Sequence, residues 1–227
     1  MRRANYLIRH LRHAGGINSS NSPSFSQKKT AHIKQVIQNI PNLSSTSPVI
    51  FEEAPFRYRV TKDSQKQNET PLRILGVTST DGTHWTPQVE RIIDDNILTK
   101  LTESQHPTVI LSAELFDKLY PNSTPSDRAL SKKIWLQRTD RTNVINATHE
   151  EVELEVIGVF RLGIHKVADT MLITNVTTAQ KILGMGDYVS MLGINLAQPF
   201  LAERTAKSIE EKLGKEDVLV FQWLQAA

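Results

Sequence analysis

Cysteine is absent from the 227 residues. Its absence excludes a disulfide framework, a Cys-ligated zinc site and a thiol nucleophile. It leaves the compartment open, because extracytoplasmic bacterial domains often do without disulfides. Long apolar runs are missing too. No segment approaches the ~20 residues of a membrane span, and Met1 to His13 lacks the unbroken apolar core of a signal peptide. Such ends suit a cytosolic protein or a soluble piece of a membrane protein. Charge of one sign is also lacking. The net charge is +3, with a pI near 9.1, far from the dense basic patch of a nucleic-acid binder. The one basic cluster, Arg2, Arg3, Arg9 and Arg12 with His10 and His13, fits a solvated flank or one beside anionic headgroups.

The motifs of common chemistries are missing as well. There is no G-x-S-x-G elbow, P-loop or G-x-G-x-x-G. Gly184-Met185-Gly186 ends a helix instead of opening one, so it reads as a helix stop. The histidines are scattered, and only His10 and His13 are near neighbours. On a strand those two face opposite sides, so no metal site is assigned. Asp94-Asp95 and Glu210-Glu211 are adjacent on helices and diverge by about 100°. Glu151, Glu153 and Glu155 alternate along one strand face, which reads as a solvated, edge-protecting row. No catalytic residue is assigned. Asn-x-Ser/Thr sequons at Asn18, Asn42, Asn68, Asn122, Asn146 and Asn175 follow from a composition rich in those residues.

What is present is a folded body, 39% hydrophobic and 22% charged. Periodicity predicts strands at Asn5–Leu11, Pro48–Thr61, Pro71–Val77, Thr108–Leu111, Lys133–Arg138, Glu151–Phe160, Thr170–Asn175, Val189–Leu196 and Val218–Phe221. Helices are expected at Gln27–Ile40 (Ile33, Val36, Ile37 and Ile40 inward), Val89–Leu101, Ala113–Tyr120 capped by Ser112, Thr177–Leu183, and Phe200–Leu213 (Ala202, Ala206, Ile209 and Leu213 inward). Asn42–Ser47 reads as a loop. A bend is expected at Gly158. Ile134 and Leu136 are placed opposite Trp135. The outer pieces make an α+β layer with two helices on one sheet, and the middle is an inserted β-rich part.

The wording of these elements resembles a known family. Thr108-Val109-Ile110-Leu111-Ser112-Ala113-Glu114-Leu115 with Lys118-Leu119 is similar to a strand and helix of FtsX-like permease periplasmic domains. So are Glu155-Val156-Ile157-Gly158-Val159-Phe160, and Thr170-Met171-Leu172-Ile173 with Val176 and Ala179-Gln180-Lys181-Ile182-Leu183. Leu75-Gly76-Val77, Gly193-Ile194-Asn195-Leu196 with Pro199-Phe200, and Phe221-Gln222-Trp223 complete the match. The closest subfamily is the lipoprotein-releasing permease subunits (LolC/LolE type), within a group that includes MacB-type efflux transporters.

The resemblance implies an α+β fold in one periplasmic region. A discontinuous porter-like subdomain takes residues 1–78 and 188–227, and an inserted β-rich sabre-like subdomain takes 79–187. It implies a non-enzymatic domain at the periplasmic face of the bacterial inner membrane, in a membrane-embedded protein. Such a domain has no cofactor of its own, since ATP is bound by a separate subunit. The implied partners are a second permease subunit, a cytoplasmic ATPase subunit, a periplasmic lipoprotein chaperone and lipoprotein cargo. The implied work is lipoprotein extraction and hand-over. The alternatives are a MacB-like efflux or FtsX-like mechanotransmission domain and, in another class, a soluble enzyme of unknown type.

In that family a hairpin hook grips the chaperone. The hook falls here between Ile134–Arg138 and Val152–Phe160, with its tip at Thr139–Glu150. Arg138 and Arg141 would steer an acidic partner, and Val144 and Ile145 would anchor it. The tip departs from the family by being short and free of proline, and the family's Gly-Asp turn gives way to Asn122–Lys133. A solvated hairpin tip without a partner is the alternative.

Overall fold

The computed structural model describes residues 5–10, 26–62, 68–78, 89–92, 97–123, 132–139, 150–162, 169–214 and 218–222. In chain order the elements are β1 (Asn5–His10), α1 (Gln27–Ile37), β2 (Leu43–Arg59), β3 (Asn68–Val77), β4 (Val89–Ile92), α2 (Ile97–Glu103), β5 (Thr108–Ser112) and α3 (Ala113–Leu119). There follow β6 (Lys132–Arg138), β7 (Val152–Leu162), β8 (Met171–Asn175), α4 (Val176–Leu183), β9 (Met191–Leu196), a 3-10 turn (Pro199–Leu201), α5 (Ala202–Leu213) and β10 (Val218–Gln222). Contacts divide the chain into two units: Met1–Val49 with Asp187–Ala227, and Ile50–Gly186. The architecture is mixed α+β, as expected.

The first unit holds a four-stranded antiparallel sheet in the order β10-β1-β9-β2. Every residue of β9 is buried, as befits an inner strand. Helix α1 starts at Ser26, whose side chain accepts from the Lys29 amide, filling one of the free donors of the first turn. Its apolar stripe buries Ile33 and Ile37, with Ile40 just beyond the helix end. The helix stops at Ile37, earlier than expected, and Val36 is only half-buried. In α5 the inward set is Thr205, Ile209 and Leu213. Ile209 and Leu213 are inward as expected, while Ala202 and Ala206 are only half-buried and Thr205 takes their place.

Asn42 fastens this unit. Its backbone is left-handed (φ 77°), a conformation asparagine tolerates better than most residues. Its Nδ2 donates to the Gln198 carbonyl at 3.0 Å and to Thr205 Oγ1 at 3.1 Å, while its Oδ1 accepts from the Gln198 amide at 2.7 Å. Asn42–Ser47 is therefore not the loop expected. From Leu43 onward the chain is strand, paired with β9 through a bulge between Leu43 and Ser45. Polar residues hid it, because strand pairing is supplied by the partner and not by local pattern.

The second unit closes its sheet. From Ile50, β2 pairs with β3 antiparallel, β3 with β8 parallel, β8 with β5 antiparallel, β5 with β7 parallel, and β7 with β6 antiparallel. Then β6 pairs with β2 again. Six strands thus form a barrel without an open edge, the surest way to remove a pairing hazard. Strand β4 adds to β7 beyond the end of β6. Phe56, Ile74, Ile110, Ile134, Leu154 and Leu172 are fully buried. Strand β5 is buried at every position and β8 at its first four. Both strands are covered on the outside by helices, with α2 and α3 on β5 and α2 and α4 on β8.

The helices seat where side chains are missing. A Cβ at Gly158 would lie 1.9 Å from Ile97 Cδ1 of α2, and one at Gly76 would lie 2.8 Å from Ala179 Cβ of α4. Strand β7 continues through Gly158, where a bend is expected, with a shift of register against β5. Helix α4 is capped by Asn175, whose Oδ1 accepts from the Thr178 amide at 2.7 Å, and it ends at left-handed Gly184 (φ 62°). The expected helix Val89–Leu101 is split. Val89–Ile92 is strand and helix begins only at Ile97. Its isoleucines suit either period, and pairing with β7 decided the first four residues. The expected crossing between subdomains after residue 78 differs from the contact division at Val49/Ile50. Strand β3 and the second half of β2 are barrel staves, which groups them with the middle of the chain.

Candidate functional site, the β6–β7 hairpin

Strands β6 and β7 run antiparallel from Lys132↔Val156 to Leu136↔Val152. The expected tip lies beyond that register. Arg141, Val144 and Ile145 fall outside the described residues. Arg138 ends β6, and its Nη1 donates to the Leu183 carbonyl at 2.6 Å. That carbonyl belongs to the last turn of α4, where carbonyls lack helical partners and the helix dipole favours a cation. This contact uses Arg138 to hold α4.

At the base of the hairpin the register brings together residues that the sequence analysis left apart. Arg59 of β2 is directly opposite Trp135 of β6, and Trp135 is directly opposite Glu153 of β7. The Arg59 guanidinium lies over the Trp135 ring, 5.6 Å from its centroid, a cation–π distance. Its Nε donates to Glu151 Oε1 at 2.8 Å, and its Nη2 reaches Glu151 Oε2, making a fork on a carboxylate. Trp135 Nε1 donates to Glu153 Oε2 at 3.1 Å, and Lys133 Nζ meets Glu153 Oε1 at 2.5 Å. Tyr120, its ring tilted 40° against that of Phe116 with centroids 4.9 Å apart, donates to the Lys133 carbonyl at 2.8 Å. Lys132 Nζ sits 5.9 Å from the Tyr120 centroid.

The carboxylates at 151 and 153 are thus each compensated, which corrects the expectation of a merely solvated acidic row. Trp135, on the strand face opposite Ile134 and Leu136 as expected, is buried as they are, so both faces of β6 are covered here. The hydrogen bond and charge of Lys133 hold the Glu153 carboxyl below its ordinary value, and Glu153 in turn raises Lys133. Burial pushes the Tyr120 phenol up. The Glu153 shift records its hydrogen bond and ion pair with Lys133, and the Tyr120 shift records its burial. The network suits bracing: it ties β7 to β2 across β6.

Elsewhere in this unit an open groove of about 330 Å³ is lined by Lys100, Glu103, Ser104, Thr108, Glu155 and Ile157. Its lining carries charges of both signs. Among the described residues no group of three or more His, Cys, Asp or Glu gathers as a metal set. No helix among them is long and apolar enough to cross a membrane.

No protein-family profile matches the chain, and no curated protein matches it. Solved structures do. The periplasmic region of MacB from Actinobacillus actinomycetemcomitans aligns over 98% of this chain and 90% of its own, with a TM-score of 0.58 and 13% identity. The extracellular domain of the noncanonic ABC-type transporter YknZ from Gram-positive bacteria aligns over 96% of this chain and 99% of its own, with a TM-score of 0.55 and 15% identity. The chain has the fold of these transporter domains. The likeness covers both units and not merely the barrel.

Proposed function

We propose that this chain is the extracytoplasmic domain of a MacB/FtsX-like ABC-transporter permease subunit. The likeness to two transporter domains over nearly the whole chain carries this reading. The domain sits on the periplasmic face of the inner membrane in a membrane-embedded protein and makes no bonds itself. A second permease subunit and a cytoplasmic ATPase complete the transporter. Hydrolysis moves membrane helices joined to the domain beside β1 and β10, and the domain turns that movement into a hinge-type displacement of bound cargo. The native gene tests this. Apolar spans of about 20 residues are expected on both flanks, and the intact protein is expected to co-purify with an ATPase subunit. Flanks without such spans overturn the reading.

The finer reading, lipoprotein release to a periplasmic chaperone, is favoured by the wording of β5, β7 and β8 with α4, and by the hairpin between β6 and β7. In it Val144 and Ile145 anchor the chaperone, Arg141 steers it, and Arg138 stands at the base. A pull-down with the chaperone checks this. Val144→Asp with Ile145→Asp is expected to abolish capture and leave stability unchanged. Normal capture by that variant removes the hook assignment.

A further inference from the structure

Strand direction brings four strand ends together at one end of the first unit's sheet. Asn5 of β1 stands opposite Asn195 of β9, Leu43 of β2 opposite Leu196 of β9, and Tyr6 of β1 opposite Gln222 of β10. The chain therefore enters β1 and leaves β10 at this end, and the turns from α1 to β2 and from β9 to α5 lie here too. Those two turns are fastened side by side. The Ala197 amide donates to the Asn42 carbonyl at 3.0 Å, and Asn42 Oδ1 accepts from the Gln198 amide at 2.7 Å. The Leu201 amide donates to the Gln198 carbonyl at 3.2 Å, within the turn that includes Pro199–Leu201. From this fixed turn Phe200 stands 82% exposed, the most exposed large hydrophobic side chain among the described residues. Neither turn carries a charge. None occurs from Gln35 to Phe51 or from Tyr188 to Ala202, in a chain that is 22% charged and would ordinarily place several there.

We propose that this end of the sheet, with Phe200 at its tip, seats on the lipid bilayer at the boundary between headgroups and acyl chains. The inference rests on the transporter reading, in which membrane helices join the chain beside β1 and β10 and so bring this end to the membrane. Aromatic side chains partition into that boundary, whereas charged ones resist going deeper. A charge-free pair of turns bearing an exposed ring meets both conditions. The first charges past the turn, Glu203 and Arg204, are exposed at the start of α5. A protein partner of stable affinity needs a contiguous, shape-matched patch. Phe200 is the one large hydrophobic side chain exposed at this end among the described residues, and a bilayer asks for no matching shape. One ring is too little to recruit a free chain. It fixes the tilt of a domain already held at the membrane, because tethering makes the contact intramolecular.

The chain has no cysteine, so Ala227→Cys gives one site for coupling to a maleimide lipid in vesicles of phosphatidylethanolamine and phosphatidylglycerol. Held there, a Phe200→Trp variant, with Trp85 and Trp223 replaced by Phe, reports the surroundings of the ring. Lipid brominated on its acyl chains is expected to quench this reporter at least ~2-fold more than a Tyr188→Trp reporter on the same background. Tyr188 is 45% exposed and precedes the opposite end of β9. Adding Ala197→Asp, at an exposed position of the same turns, is expected to remove about half of the quenching. Equal quenching of the two reporters, or none of the Phe200→Trp reporter, overturns the proposal. So does undiminished quenching in a folded Ala197→Asp variant. A blue-shifted Phe200→Trp emission that brominated lipid leaves unquenched also overturns it, because protein then covers the ring. If Ala197→Asp fails to fold, the two reporters decide alone. The transporter reading is judged separately, by the native flanks. Spans there with no quenching remove the lipid seat and leave the reading standing. Flanks without spans remove the reading, and the vesicles still decide whether this end seats on lipid.

Discussion

Gly76 offers the sharpest test of how the barrel carries its helices. Its position on β3 faces α4, and a Cβ there would lie 2.8 Å from Ala179 Cβ, 3.2 Å from Ile50 Cβ and 3.4 Å from Val176 Cα. Carbon contacts settle near 3.5–4.0 Å, so the methyl arrives about 0.7 Å too close to Ala179. None of the three atoms can rotate away, since each is a Cβ or a backbone atom. The helix itself must lift. Overpacking of this kind costs about 1–3 kcal/mol, offset by about 0.4–1 kcal/mol as alanine restricts the unfolded chain. Gly76→Ala is therefore expected to destabilise the second unit by about 1–2 kcal/mol. Ala179→Gly removes the opposing methyl and alone costs about 1–2 kcal/mol in helix propensity and lost burial. The double variant should lose less than the sum, by about 1 kcal/mol or more. Ile50 and Val176 remain close and keep the rescue incomplete. Urea denaturation followed through Trp135, with Trp85 and Trp223 replaced by Phe, measures all four states. Additivity within ~0.3 kcal/mol, or a Gly76→Ala variant as stable as its parent, refutes the argument that backbone-close contact seats α4.

Three further outcomes are expected. Asn42→Gly removes three side-chain hydrogen bonds but keeps the left-handed backbone, and should cost about 1–2 kcal/mol by urea denaturation. Asn42→Ala adds the backbone strain at φ 77° and should cost about 1 kcal/mol more. Tyr120 is raised from its ordinary value of 10.0 by burial, so above that pH the unfolded chain loses its proton first. Tyr120's contribution is whole below pH 10 and is lost as pH rises beyond it, by up to ~1.4 kcal/mol per unit; Tyr120→Phe should remove that part of the fall and leave the part due to Tyr58, which burial also raises. Glu153 is lowered chiefly by its hydrogen bond from Lys133, so its stabilising effect is present above its ordinary value of 4.5 and fades as pH drops through the folded value. Lys133→Met should return the Glu153 titration toward 4.5 in a carboxyl-resolved NMR experiment.

Local features of this chain were legible wherever a short-range rule made them. Ser112 caps α3 and Gly184 stops α4, because each acts on groups within four residues. The closure of the barrel was not legible. It depends on Arg59 meeting Trp135 and on Arg73 lining up with Met171, pairings far apart in the chain that no window contains. For the same reason Leu43–Ser47 read as loop and Val89–Ile92 as helix. The bracing network at the hairpin base needed register. Once Trp135 is known to stand between Arg59 and Glu153, the alternation of acidic residues along β7 becomes a set of ion-pair positions. The motif wording pointed to the right fold despite identities of only 13% and 15% to the matching structures.

Closure also decides what the β6–β7 hairpin can do. A two-stranded hairpin alone is marginally stable, and a tip carried on one would be ordered only on binding. Here both arms are barrel staves: β6 is held by β2 on one side and β7 by β5 on the other. Arg59 and Trp135 fasten the arms to a third strand, and Arg138 fastens the end of β6 to α4. A segment rising from that base begins and ends at fixed points. Under the proposed hook reading, a partner would meet a lower ordering cost there than on a free hairpin, which is the energetic content of preorganisation. A pull on the tip enters β2 through the Arg59–Glu151 pair as well as through the backbone ladder. Arg59→Met should therefore leave the fold intact and loosen the hairpin base, visible as faster amide exchange in Lys132–Arg138 than in the helix-covered strand Thr108–Ser112. Unchanged exchange in β6 would mean that the ladder alone bears the load.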